Sequence, residues 1–353
     1  MMGTTEHRTC DSPLVSVVMT TYNGEKYLGS AIASVLRQSL SDFELIVVDD
    51  CSSDSTPRIL REIEDCRLRL IHNEHHEGIA NALNRAVAAA AGKYVAFQDH
   101  DDLSLPDRLQ IQCQFLEENP EIGMVGSSCR IIDANGNLVR DVMVRCNDAE
   151  LRWCLIWYNP FFHTTLMARR SAITTIRGYS SDPNYRFSED YEMMSRLAMS
   201  YPVANLPQPL ACWRTHANSA SERNPARQVC SGANISIRNV ADLWRRAGEQ
   251  AANETVAHAY QAMWSFQFPP RPGQEPASQE QMLRAPEYLK LLECVFSSSA
   301  TGLKQAGRIR ATRYYRWSRR AVALALRENL ELKNRMALLI DAMNLLLFAV
   351  KIR

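Results

Sequence analysis

Three carboxylates crowd into four positions in Asp99-His100-Asp101-Asp102, directly after the apolar run Tyr94 to Phe97. Acids this close repel one another at neutral pH unless they are solvated, neutralised or bound to a cation, and hard oxygen ligands favour Mg2+ or Mn2+. Magnesium held by one or two carboxylates completes its shell with water and substrate phosphates, so the cluster implies a site for a phosphorylated ligand. A solvated acidic turn would have the same local sequence, and the surroundings decide between the two. A second acidic pair, Glu189-Asp190, follows Ser188 at the start of a helical pattern in which Tyr191, Met194 and Leu197 face one side. Ser188 is a capping residue type, and the helix dipole favours ionised carboxylates in a first turn.

The elements that must position these groups form a repeating pattern. Four times in the first hundred residues an apolar, strand-like run ends in polar residues and gives way to a helical period, the sequence form of a parallel α/β sheet. Val15 to Met19 leads to Thr20-Thr21-Tyr22-Asn23-Gly24 and a helix carrying Leu28, Ile32 and Val35. Glu44 to Val48 leads to Asp49-Asp50-Cys51-Ser52-Ser53-Asp54, with Asp54 or Ser55 placed to cap a helix from about Pro57. Leu68 to Ile71 leads to His72-Asn73 and a helix with Ile79, Leu83, Val87 and Ala90 on one face; Asn73 reads as a plain turn residue. The fourth strand leads into the acidic cluster, Pro106 opens the next helix, and Asn119-Pro120 closes it. Ligands of open α/β sheets bind beyond the carboxyl ends of the strands, where all four polar clusters fall, so the rim reads as one binding site. The first turn is not Gly-x-Gly-x-x-Gly and the chain has no Walker-type loop, which argues against a dinucleotide fold and for phosphate held through a metal.

Val15 to Asn23, Phe43 to Asp54 and Asp99-His100-Asp101-Asp102 together resemble the successive signatures of family 2 glycosyltransferases, over roughly residues 13–220. The resemblance implies a GT-A nucleotide-sugar-binding fold, a Rossmann-like mixed α/β sheet with flanking helices. It implies inverting transfer of a sugar from a nucleotide diphosphate donor. Thr21, Tyr22, Asp49 and Asp50, with Asp99, would then line the donor-nucleotide pocket, and Asp101 with Asp102 would hold Mg2+ or Mn2+ on the diphosphate, at least one acid of the motif acting through water or the donor sugar. Glu189-Asp190 resembles the family's Glu-Asp motif, which makes Asp190 the general base toward the acceptor hydroxyl. Asn159 to Arg170 resembles the strand under the acceptor, Gly178-Tyr179 the turn before the base, and Trp213 to Ser219 a closing segment. On that basis Glu189, His163, Arg214 and His216 are possible diphosphate or acceptor contacts, with a satisfied histidine in a packed strand the competing reading of His163. Thr20 and Cys51 depart from the Pro and Gly common in the family; neither replaces a carboxylate. A nucleotidyltransferase, or a nucleotide-sugar binding module without catalysis, is the alternative.

The chain has 353 residues and a formal net charge of +1, enough for a catalytic domain plus an extension and no whole-chain case for nucleic acid. Its 10 cysteines lack Cys-x-x-Cys spacing, which favours reduced thiols, and the polar residues 1–12 read as a flexible N-terminus without a signal peptide. A cytoplasmic location follows. Residues 221–353 read as a helical extension with a Pro-rich break near 268–276 and a basic, then apolar tail over 304–353. Lys304 to Arg320 is free of acids and carries Tyr314, Tyr315 and Trp317, and Met336 to Val350 is apolar apart from Asp341 and Asn344. That pairing suits peripheral contact with the inner, anionic face of a cell membrane and a glycan or lipid-linked acceptor; a helical hairpin or an oligomer contact is the competing reading. The sequence leaves open whether the donor is a UDP-, GDP- or dTDP-sugar.

Overall fold

The computed structural model describes residues 12–156 and 158–246. In chain order the strands are β1 (Val15–Thr21), β2 (Phe43–Asp49), β3 (Leu68–His72), β4 (Tyr94–Phe97), β5 (Leu103–Ser104), β6 (Met124–Ile132), β7 (Leu138–Val142), β8 (Met167–Arg169) and β9 (Val203–Arg214). The helices are α1 (Leu28–Leu36), α2 (Thr56–Arg61), α3 (Ile79–Ala89), α4 (Arg108–Glu118), α5 (Asp148–Leu155), α6 (Arg170–Thr175), α7 (Glu189–Ser200), α8 (Ala220–Arg223) and α9 (Pro225–Arg246).

The strands form one mixed sheet in the order β3-β2-β1-β4-β8-β6-β9-β5, with β7 paired to β6. β1 to β4 are mutually parallel where they pair, whereas β8 runs antiparallel to both β4 and β6. The chain builds outward from β1 through β2 to β3, then returns to lay β4 on the other side of β1. That reversal opens a crevice at the carboxyl ends of β1 and β4, the position at which such sheets take ligands. Register sharpens the geometry: Thr21 lies opposite Asp49, and Asp49 opposite His72, so three polar residues form a row across the rim.

Central parallel strands are covered on both faces and must be apolar nearly throughout. Val15, Val17 and Met19 of β1 pack with Leu45 and Val47 of β2 against Leu28, Ile32 and Val35 of α1 and Leu109 and Leu116 of α4. Val18, Ile46 and Val48 point to the opposite face, where α3 packs on β1 and β2. Fully burying one such side chain contributes about 1.5–3 kcal/mol, and truncating Ile32 to Ala would cost about 2–5 kcal/mol. The buried face of α3 differs from the periodic expectation: Ala80, Leu83 and Ala86 are buried, while Ile79 is 44% exposed at the first turn. α2 begins at Thr56; its N-cap Ser55 makes no side-chain capping bond, and Asp54 Oδ1 instead accepts from the Thr56 N–H at 2.9 Å.

Two compact units divide the described chain, residues 12–147 with 159–224 and a second containing α5 and α9. In the second unit Asn239 Nδ2 donates to the Leu155 carbonyl at 2.7 Å, tying α9 to the end of α5. Among the described residues no helix is long and apolar enough to cross a membrane. The Pro-rich break and the basic and apolar tail lie outside the described residues, as does nearly all of the 1–12 segment.

Candidate active site

On the β2 side of the crevice, Asp50 organises the loop between β3 and α3. Its Oδ1 accepts from Asn73 Nδ2 at 2.6 Å and from the Glu77 N–H at 2.9 Å; its Oδ2 accepts from the Gly78 N–H at 2.9 Å and pairs with His76 Nδ1 at 2.8 Å. Asn73, a plain turn residue by its sequence context, is therefore buried and structural, and Arg85 Nη1 donates to its Oδ1 at 2.5 Å. Asp49 is also buried, its Oδ1 accepting from the Ser52 N–H at 3.1 Å and its Oδ2 lying 3.3 Å from His72 Nδ1. Tyr22 is 45% exposed rather than a core aromatic, and its ring stacks on His76 with centroids 4.1 Å apart. Thr21 Oγ1 is buried with no hydrogen-bond partner. Cys51 has φ 65°, the left-handed region that explains why glycine suits this position. Gly24 is packed against both sides of the rim: a Cβ there would stand 2.4 Å from Thr21 Oγ1 and 2.7 Å from His100 Cδ2.

Across β1, the three acids of the 99–102 loop point to three partners. Asp99 Oδ1 lies 2.7 Å from His163 Nδ1, and Asp101 Oδ2 lies 2.9 Å from His216 Nε2. Asp102 is 1% exposed; its Oδ1 accepts from the Arg214 N–H at 2.7 Å and its Oδ2 has no hydrogen-bond partner. Burial, then the neighbouring Asp101 and Asp99 charges, push the Asp102 carboxyl well above the usual range. Arg214 is buried and braces this loop, donating from Nε to the Asp101 carbonyl at 2.8 Å with its guanidinium 4.6 Å over the Tyr27 ring. β9 thus delivers Arg214 and His216 to Asp101 and Asp102 from more than a hundred residues away in sequence.

The third part of the site is the start of α7. Glu189, Asp190 and Glu192 occupy its first turn; the Ser188 side chain makes no capping bond there, although Ser188 is the N-cap residue. Asp190 Oδ2 accepts from Asn159 Nδ2 at 2.9 Å. Burial raises the Asp190 carboxyl above its ordinary value and the Asp99 charge adds to this, while His163 and the Asn159 hydrogen bond work against it. Burial likewise raises Glu189. His163 links the acidic loop to Tyr179 and feels the Asp190 charge. Its Nε2 lies 2.8 Å from the Tyr179 hydroxyl, and its ring packs 5.2 Å from Phe97. Burial disfavours the imidazolium, but the Asp99 charge and hydrogen bond, with Asp190, outweigh it, so His163 holds its proton above the usual histidine range. Burial also drives the Tyr179 phenol well up, reinforced by Asp190, Asp99 and Glu189, so it remains a neutral hydroxyl. Asn84 fixes Tyr179 by its backbone, accepting from its N–H at 2.8 Å and donating to its carbonyl at 2.9 Å.

The structure brings together Asp99, His163 and Asp190, and separately Asp101, Asp102, Arg214 and His216, while Thr21, Tyr22, Asp49 and Asp50 line the other side of β1. Sequence reasoning gave no part to His76 or Arg108, and it placed Asn159 and Tyr179 in motif segments without a role of their own. Arg108 had a visible signal: a cation in the first turn of a helix runs against the dipole and needs another reason to be there.

The donor set suits a hard divalent cation: Asp101 offers a carboxylate, His216 an imidazole beside it, and Asp102 a buried oxygen with no partner. Among the described residues no three His, Cys, Asp or Glu side chains converge as a ready cage.

The family model for glycosyl transferase family 2 matches residues 16–179. A Haemophilus influenzae protein described as an uncharacterized glycosyltransferase is 31% identical over 249 residues, 67% of this chain and 76% of that protein. The Escherichia coli O-antigen biosynthesis glycosyltransferase WbnJ is 31% identical over 228 residues, 63% of this chain and 87% of that protein. Among solved structures, residues 1–349 of S. aureus TarS in complex with UDP-GlcNAc give a TM-score of 0.56 at 16% identity, covering 94% of this chain and 90% of that one. The mannosyltransferase PcManGT from Pyrobaculum calidifontis in complex with GDP-Man and Mn2+ gives 0.50 at 21% identity, covering 96% and 88%. An α/β sheet of this topology with an acidic loop at its switch point is the GT-A fold. The chain belongs to glycosyltransferase family 2 and is a glycosyltransferase.

Proposed function

We propose that the enzyme transfers a sugar, with inversion, from a nucleotide diphosphate donor to a hydroxyl of a glycan or lipid-linked acceptor in surface polysaccharide synthesis. The observation that carries this reading is the bridge from Asp99 of the acidic loop through His163 to the neighbourhood of Asp190, which sets a buried carboxylate beside the donor end of the site. The Tyr22–His76 stack and the Asp49, Asp50 and Thr21 row take the nucleotide. Asp101, with Asp102 and His216, holds Mg2+ or Mn2+, which when bound supplies charge stabilisation to the departing diphosphate. Asp190 accepts the proton of the acceptor hydroxyl as that oxygen attacks the anomeric carbon opposite the leaving group. Its raised proton affinity makes it a stronger base than an exposed aspartate, and Asn159 holds its Oδ2 in place.

The nucleotide-sugar complexes of TarS and PcManGT, and the Mn2+ of the latter, support the donor class and cofactor; WbnJ, by its name, supports a surface-glycan acceptor. The reading places catalysis in residues 13–220 and uses the extension, through its basic and apolar tail, for peripheral contact with the inner face of the membrane. Titrating purified protein with UDP-, GDP- and dTDP-sugars, with Mn2+ and with chelator, tests it. One donor should bind tightly and depend on metal. Metal-independent binding of every donor, or of none, removes the proposal.

A further inference from the structure

Among the described residues Arg108 is the largest fully buried side chain, with 0% exposure, and no carboxylate is among its hydrogen-bond partners. Burial pulls its guanidinium down to about 10, against the charges of Asp99 and Asp102. A buried cation with neutral partners is costly, and a well-packed apolar side chain would usually serve a core as well. What the guanidinium holds is therefore informative. Nη2 donates to the Phe97 carbonyl at 2.7 Å and the Leu166 carbonyl at 2.9 Å. Nη1 donates to Gln98 Oε1 at 3.1 Å and Ser104 Oγ at 2.9 Å, and Nε donates to Gln112 Oε1 at 3.1 Å. Ser104 Oγ in turn donates to Gln98 Oε1 at 2.6 Å, and Gln98 Nε2 donates to the Asp99 carbonyl at 3.1 Å. Phe97 and Gln98 enter the acidic loop and Ser104 follows it, so one planar fork clasps both ends of the loop. Through Leu166 the same fork reaches the segment that carries His163.

We propose that Arg108 is a positioning residue that fixes the acidic loop so that the divalent cation and the donor diphosphate meet Asp101 already in place. The inference rests on the metal reading above. It separates the two halves of the site, because Arg108 touches neither the Tyr22–His76 stack nor the loop held by Asp50. Lysine cannot replace it, since an ammonium keeps the charge but cannot reproduce the fork.

The test is calorimetric titration of the full chain with UDP, GDP and dTDP, using the tightest binder, in chelator and in Mn2+, with melting temperature measured alongside. Wild type should gain affinity from Mn2+. Arg108→Lys should keep chelator-phase affinity within about twofold and lose roughly 10–100-fold of the Mn2+ gain, the usual cost of removing an outer support of a metal site. Gln98→Leu, which leaves the guanidinium but removes its tie to Asp99, should move the Mn2+ gain the same way by a smaller factor and decides the matter if Arg108→Lys does not fold. A full Mn2+ gain in the folded variants overturns the proposal, as does a proportional loss in chelator, which would make Arg108 a core brace only. Absence of any Mn2+ gain in wild type removes the metal reading itself, and this inference with it.

Discussion

His163 Nδ1 stands 2.7 Å from Asp99 Oδ1, which ties the loop after β4 to the short segment before β8. Because a carboxylate only accepts, Nδ1 must carry a proton, and the ring orientation is fixed. The other nitrogen reaches Tyr179, just upstream of the helix that presents Asp190. The acidic loop and the segment that leads to Asp190 thus share one imidazole.

Removing that imidazole should move the pH profile. Protonated His163 favours ionised Asp190, so without it the Asp190 carboxyl rises further and the acid limb of kcat shifts to higher pH. His163→Asn is expected to show this shift, read from kcat between pH 5 and 9 with donor affinity checked at each pH. An unshifted limb would assign His163 to packing.

Asp190→Asn should bind donor nearly as wild type and transfer sugar about a hundred- to ten-thousand-fold more slowly, the usual loss for a positioned base. Turnover at saturation with collapsed donor affinity would instead place Asp190 in the donor pocket.

Asp101→Ala should keep the wild-type melting temperature to within a few degrees and lose Mn2+-dependent donor binding. Its partner His216 is then left without its carboxylate, so His216→Ala should weaken metal dependence in the same direction. Transfer by folded Asp101→Ala protein in chelator would end the metal reading.

Asp102 offers a stability test. Its carboxyl is buried with one oxygen unpaired and its proton affinity is raised, so keeping it in the fold at neutral pH costs stability, and Asp102→Asn should raise the melting temperature in metal-free buffer by about 2–4 °C for each kcal/mol relieved. The same variant should lose transfer. A lower melting temperature would show that Asp102 is already satisfied.

Sedimentation with vesicles tests the tail without reference to catalysis. The Lys304 to Arg320 charges should each contribute roughly 1 kcal/mol at an anionic surface and be screened by salt. The protein should pellet with anionic vesicles, less so in high salt, and truncation before Gly302 should abolish this. Equal pelleting of the truncated chain would favour the hairpin or oligomer reading.

The sheet was legible where burial is two-sided. β1, β2 and β4 are covered on both faces, and their unbroken apolar runs announce themselves, as do the polar turns that follow. β9 was not legible as a strand: Pro207 and Pro209 interrupt it, and its pairing with β6 shifts register near Ser127 and Ser128. Ile79 misled because helical spacing names a face without saying which end of it reaches the core. In the site, acids adjacent in sequence were visible, and partners supplied by distant elements were not. Nothing local to Asn159 or Tyr179 says that they serve Asp190 and His163. Arg214 and His216 were legible as candidates, yet their contacts with Asp102 and Asp101 depend on a crossover that only the folded sheet provides.

Gly24 couples two parts of the rim. A single methyl group at this position would press on Thr21 Oγ1 and the His100 ring together, so the end of β1 and the acidic loop meet here only because no side chain stands between them. Any side chain at Gly24 would therefore have to displace a residue on each side of that seam.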